Sequence, residues 1–202
     1  TMEISEKQIN DQTLILVDNG VLKITFSTLG ASIYSIIFNG EEMLLTPKNI
    51  EDFLNDNYYG KTIGRVTNRV EGGLFLVENM QYYLPKNEED NTYNCASEGL
   101  HKEKFDYRIE KNNIGLTIKF SFLSREDKQS LPGDVYLNVT YVIKDFNNKV
   151  SIALDAISNK NTPLAFSNQL YFSLGSKDLS DKKLQMPLST NKCIKIYPHK
   201  KR

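Results

Sequence analysis

The sequence predicts an all-β protein, an antiparallel β-sandwich, and three observations carry that expectation. Short runs rich in Val, Ile, Thr, Phe and Tyr recur along nearly the whole chain. Several alternate apolar and polar residues, the signature of a strand with one face buried. Polar turn clusters such as Asp18-Asn19-Gly20, Asn39-Gly40 and Lys111-Asn112-Asn113 separate them, and helical periodicity is almost absent.

In chain order, residues 13–17 and 21–26 read as a hairpin closed by Asp18-Asn19-Gly20. Residues 32–38 form the next strand and Asn39-Gly40 turns the chain again. Residues 47–57 are the one short helical candidate, because Ile50, Phe53 and Leu54 share a face. The segment 58–84 stands apart. Gly60 and Gly64 permit tight or close-lying backbone, and Arg65 and Arg69 follow in an apolar, small-residue context. An arginine fork suits oxygens held in fixed positions, whether ligand oxygens or carbonyls of the chain itself. Gly72-Gly73 then releases the chain into a hairpin, residues 74–77 and 80–84 around Glu78-Asn79.

Further on, residues 106–110 and 116–124 pair around Lys111-Asn112-Asn113, with Leu116, Ile118, Phe120 and Phe122 on one face. Residues 135–143 and 150–157 repeat the arrangement, with Val135, Leu137, Val139, Tyr141 and Ile143 on one face. Residues 162–174 and 184–196 complete the predicted strands. No linker or repeat divides the chain, so residues 1–202 read as one domain.

Lys+Arg and Asp+Glu are both 25, which argues against nucleic acid or an anionic membrane as the partner. No apolar run is long enough to span a bilayer and no signal-peptide pattern is present, so a cytoplasmic protein is expected. Cys95, Cys193, His101 and His199 have no metal-type spacing, and neither a metal nor a cofactor is expected. Asn138-Val139-Thr140 is a formal glycosylation sequon read as chance.

Five segments in one order resemble the aldose 1-epimerase (galactose mutarotase) family. Residues 21–38 are similar to the opening of its fold, with a Gly-Ala pair at Gly30-Ala31. Gly64-Arg65-Val66-Thr67-Asn68-Arg69 resembles its Gly-Arg-x-x-Asn-Arg signature. Residues 91–105 are similar to a segment in which Asn91 and Gly99 match and the family histidine falls on Asn94. Leu131-Pro132-Gly133-Asp134 looks like its Pro-Gly-Asp/Asn turn. In residues 162–175, Thr162, Pro163, Asn168, Tyr171, Phe172 and Leu174 match, and a second family histidine falls on Gln169.

The resemblance implies a sandwich of the galactose mutarotase (supersandwich) type lacking its C-terminal part, acting on or binding hexoses such as galactose or glucose at C1. Mutarotation needs a base for the C1 hydroxyl proton and an acid for the ring oxygen. The family takes its acid from a histidine and its base from a glutamate far towards the C-terminus. Asn94 and Gln169 reach as a histidine does and can hydrogen-bond to a sugar, yet a carboxamide exchanges no proton near neutrality. By resemblance the substrate-binding set is Arg65, Asn68, Asn94, Gln169 and Tyr171, with Tyr58, Tyr59 and Tyr93 as further aromatic candidates. His101 is read as an exposed surface residue and Glu98 as exposed in a polar loop, while Asp106, Asp134 and Asp155 sit at turns or solvated faces. Three readings follow: an epimerase-family protein without its acid–base pair, a carbohydrate-binding or sensing protein, and a structural half completed by association. An open sheet edge would serve a homo-oligomer.

Overall fold

The structure is a computed structural model describing residues 2–176, 178–183 and 185. Strands β1 (Glu3–Ile9), β2 (Gln12–Asp18), β3 (Leu22–Ser27), β4 (Ser32–Phe38) and β5 (Glu41–Glu42) form a five-stranded antiparallel sheet in that order. Its turns obey the sequence. Asn39 and Gly40 take φ of 52° and 79°, the left-handed pair that a tight two-residue hairpin requires. Strand β1 was not expected: its mostly polar EISEKQI leaves no clear alternation, and it joins the sheet at an edge by pairing with β2.

The predicted helix shrinks to α1 (Ile50–Phe53), a single turn. Side chains claim the carbonyls that further turns would use. Asn57 Nδ2 donates to Asp52 O at 2.8 Å and Lys61 Nζ donates to Phe53 O at 2.7 Å. Phe53 alone of the expected apolar face is fully buried.

Short pairings then carry the chain through the Gly-Arg segment. Strand β6 (Thr62–Ile63) and β7 (Arg69–Val70) precede the hairpin β8 (Leu74–Val77) and β9 (Met80–Tyr83), and β10 (Thr92–Tyr93) pairs with β7. Glu78 and Asn79 at φ 50° and 65° make the hairpin turn. Phe75 and Tyr82 turn inward on a small apolar cluster of Val66, Leu84, Cys95 and Leu131.

Strands β11 (Asp106–Lys111), β12 (Gly115–Ser124), β13 (Val135–Lys144) and β14 (Val150–Ser158) form the second antiparallel sheet in chain order. The expected inner faces hold: Leu116, Ile118 and Phe120 of β12 and alternate residues of β13 are inaccessible to solvent. They meet Ile15, Ile24, Phe26 and Ile33 of the first sheet in one apolar core, so the architecture is a sandwich. Tyr141 spans the two sheets. Its ring lies 4.9 Å from that of Phe26, and its hydroxyl donates to Ala31 O at 2.6 Å.

The expectation of a strand over residues 162–174 is corrected. Only β15 (Ser167–Asn168) pairs regularly, with β6, while isolated bridges join Ala165 to Val66 and Phe172 to Leu44. Among the described residues the segment threads between short elements and meets no long partner strand. The strand expected over 184–196 lies outside the described residues apart from 185. Among the described residues no helix is long and apolar enough to cross a membrane, and no cluster of metal-ligating side chains occurs.

Candidate functional site

The residues that follow β6, β10 and β15 build a polar cluster from backbone outward. Asn68 and Asn94 both hold positive φ, 64° and 50°, a conformation that asparagine tolerates better than most side chains. They are locked together: Asn68 N donates to Asn94 Oδ1 at 2.9 Å, and Asn94 N donates to Asn68 O at 3.1 Å. Asn94 is buried and points its remaining group at Gln169, with Nδ2 donating to Gln169 Oε1 at 3.3 Å. Gln169 is fixed by its own backbone, which accepts from Gly60 N at 2.8 Å and donates to Lys61 O at 3.0 Å. Its side-chain Nε2 in turn donates to the Tyr171 hydroxyl.

Aromatic rings flank this chain of carboxamides. Tyr171 meets Tyr59 edge-on at 5.4 Å, and Tyr58 meets Tyr93 in the same way at 5.4 Å. Arg69 pairs across the ladder with Tyr93, lays its guanidinium 4.6 Å over that ring, and is ion-paired with Glu88. The structure therefore brings Asn68, Asn94, Gln169 and Tyr171 together.

Arg65 is placed elsewhere, which corrects its expected role as a sugar-facing donor. Its side chain is fully buried. Nε donates to Ser124 Oγ at 2.8 Å, Nη1 to Pro132 O at 3.0 Å, and Nη2 to Ser124 O and Gly133 O, each at 2.7 Å. Burial lowers its pKa and Asp134 opposes that shift. Four of its five N–H groups thus tie the Gly-Arg segment to the end of β12 and to the Pro132-Gly133 turn. The motif of fixed oxygens around an arginine is present, but the oxygens belong to the protein. Arg69, one residue after Asn68, is the arginine that reaches the surface beside Tyr93.

His101 is also corrected. It is 2 % exposed, its ring centroid 4.6 Å from that of Tyr58 with the planes tilted by 58°, and its Nε2 3.3 Å from Asp56 Oδ1. Burial pushes its pKa down to about 4 against the pull of Asp56, so the ring is neutral above that pH. Glu98, expected to be exposed, is half-buried and accepts from Ser130 N at 2.8 Å and Ser130 Oγ at 2.7 Å. Asp134 accepts from Glu126 N and Asp155 from Asn138 Nδ2, while Asp106 is exposed at the start of β11. These carboxylates are engaged elsewhere or lie on solvated strand positions.

Chemically, the cluster offers directional donors and acceptors with no titrating group at Asn94 or Gln169. It can hold a hydroxylated ring by hydrogen bonds and aromatic contact; those two side chains cannot shuttle its protons.

Comparison with known proteins identifies the family. A family model described as Aldose 1-epimerase matches residues 13–196. The chain is 28% identical over 144 residues to the galactose mutarotase of Rattus norvegicus, covering 69% of this chain and 40% of the rat protein. It is 28% identical over 177 residues to the aldose 1-epimerase of Streptococcus thermophilus, covering 84% of this chain and 50% of that protein. The fold superposes on the galactose 1-epimerase of Lactobacillus acidophilus with a TM-score of 0.76 at 24% identity, over 87% of this chain and 54% of the other. The chain thus spans about half the length, or less, of these relatives. This chain belongs to the aldose 1-epimerase family.

Proposed function

We propose that the surface formed by Asn68, Gln169 and Tyr171 over the buried Asn94, rimmed by Tyr58, Tyr59, Tyr93 and Arg69, binds a hexose such as galactose or glucose, and that this chain alone does not interconvert its anomers. The observation that carries the reading is the Asn94–Gln169 contact of 3.3 Å. Two carboxamides occupy the positions where an acid–base reaction at C1 would need titrating groups; Gln169 keeps the reach and polarity to bond sugar oxygens, and the buried Asn94 holds it in place. Aromatic edges beside them supply the apolar surface that a pyranose face prefers. The names of the relatives point to galactose as the first sugar to try.

Two measurements on one sample test this. Polarimetry of fresh α-D-galactose and α-D-glucose is expected to show no acceleration over buffer. Saturation-transfer NMR is expected to show binding of the same sugars, weakened about tenfold by Asn94→Ala, a loss of about 1.4 kcal/mol. Acceleration abolished by Gln169→Ala would overturn the non-catalytic part. Absence of any sugar contact with a folded sample would overturn the binding part.

A further inference from the structure

We propose that Lys61 is a positioning residue for this site: its ammonium fixes the loop 53–57 that runs into Tyr58 and Tyr59, while its backbone fixes Gln169. The inference rests on the sugar-site reading of Gln169. Lys61 is fully buried. Its Nζ donates to Phe53 O at 2.7 Å, Asn55 O at 2.9 Å, Asn57 O at 3.2 Å and Asn57 Oδ1 at 2.9 Å. The Phe53 ring lies 4.9 Å away. Four oxygens around one ammonium, three of them carbonyls of a single loop, form a cage of the kind that a small cation organises. Here the cation is tethered to the chain.

The tether matters because the same residue touches the site through its main chain. Lys61 O accepts from Gln169 N at 3.0 Å, and the preceding Gly60 N donates to Gln169 O at 2.8 Å. Gly60 O in turn receives Ile33 N at 3.0 Å and Asn168 Nδ2 at 3.1 Å. Residues 58–60 are therefore strung between the caged loop on one side and Gln169 on the other. A chemically simple surface loop is turned into a fixed support for two rim tyrosines and one carboxamide.

The groups facing the ammonium are Asp56, His101 and, beyond them, Lys102. Burial lowers the Lys61 pKa to about 8, with Asp56 opposing. As pH rises through that value the ammonium becomes an amine, loses a donor and the charge that orders the carbonyls, and the loop loosens. The Lys61 contribution to stability moves the other way. Between about 8 and the ordinary lysine value of 10.5 this side chain holds more proton in the unfolded chain than in the folded one, so its share of the stability rises with pH. A fall in sugar affinity near pH 8 is therefore not Lys61 unfolding the chain. His101 titrates near 4 and cannot mimic it.

The test follows the amide signals of Gln169 and the binding of galactose by NMR between pH 6.5 and 9.5, in wild type, Lys61→Met and Asn57→Ala. The expected result is a shared transition near pH 8 in wild type, absent from Lys61→Met, whose affinity is already about tenfold weaker at pH 7. Asn57→Ala, which removes one of the four oxygens from a half-buried side chain, is expected to shift the Gln169 signals with the fold intact. If Lys61→Met does not fold, the wild-type transition and Asn57→Ala decide. Gln169 signals that ignore both pH 8 and Asn57→Ala would overturn the inference. If wild type binds no sugar, the proposed function fails, while the Gln169 transition still decides the role of Lys61.

Discussion

Arg65 shows how one side chain can satisfy a motif's chemistry and yet serve the scaffold. Its guanidinium stands between the Gly-Arg segment and the turn after β12, with Ser124, Pro132 and Gly133 supplying the oxygens. Replacing it by methionine keeps much of the volume but strips donors from three carbonyls. Arg65→Met is expected to lower unfolding stability by on the order of 3 kcal/mol, read as a shift of the urea midpoint. Sugar affinity of the folded protein should stay within a factor of two. A variant of undiminished stability that had lost sugar affinity would return Arg65 to the binding surface. Burial, absent from any motif, also set the state of His101: its ring was drawn under Tyr58 and kept neutral.

Among the elements, the long strands and the short pairings answer to different forces. Strands β12 and β13 are fixed by alternating apolar residues that lose water together against the first sheet, so pattern and position agree. The two-residue pairs β6–β15 and β7–β10 have too little surface of their own; local backbone geometry holds them. Gly60 is the sharpest case, with φ of +64° and a would-be Cβ 1.9 Å from Ile33 O. A side chain there must push β4 and the β6 entry apart, breaking the Ile33–Gly60 hydrogen bond. Gly72 has a similar φ of +61° but nothing within 4 Å of a would-be Cβ. Gly60→Ala is therefore expected to cost roughly 3 kcal/mol or more, and Gly72→Ala only about 1 kcal/mol, the penalty of the left-handed backbone alone. Thermal denaturation of the two variants checks the order, and equal losses would contradict it.

Taken as a whole, the sandwich leaves an apolar groove of about 340 Å³ where the first sheet, β14 and the segment after β15 meet. Phe38, Met43, Ile152, Leu170, Phe172 and Leu174 line it, and Phe172 and Leu174 are half exposed. Among the described residues β14 pairs only with β13, so its other edge offers unpaired backbone beside apolar surface. The chain by itself is expected to self-associate as its concentration rises, with Phe172→Lys shifting sedimentation towards monomer without lowering stability. A wild-type chain that sediments as a monomer at every accessible concentration would refute this.

The sequence by itself determined the class of fold, the hairpins with their turn residues, the inner faces of β12 and β13 and the family. Each of these depends on period, turn chemistry or ordered motifs, all properties of neighbours along the chain. It also brought Asn94 and Gln169 to notice, because both stand in recognisable segments. Only the tertiary structure decided which arginine faces out, that His101 is buried and neutral, and that residues 162–174 form one short pairing and two bridges rather than a strand. The same holds for Lys61, an ordinary surface residue by its composition until helix α1 ends early and hands it four oxygens. The physical reason is common to these cases. Burial and hydrogen-bond partners are set by residues tens of positions away, and no local pattern records which of two chemically equal side chains the folded chain will enclose.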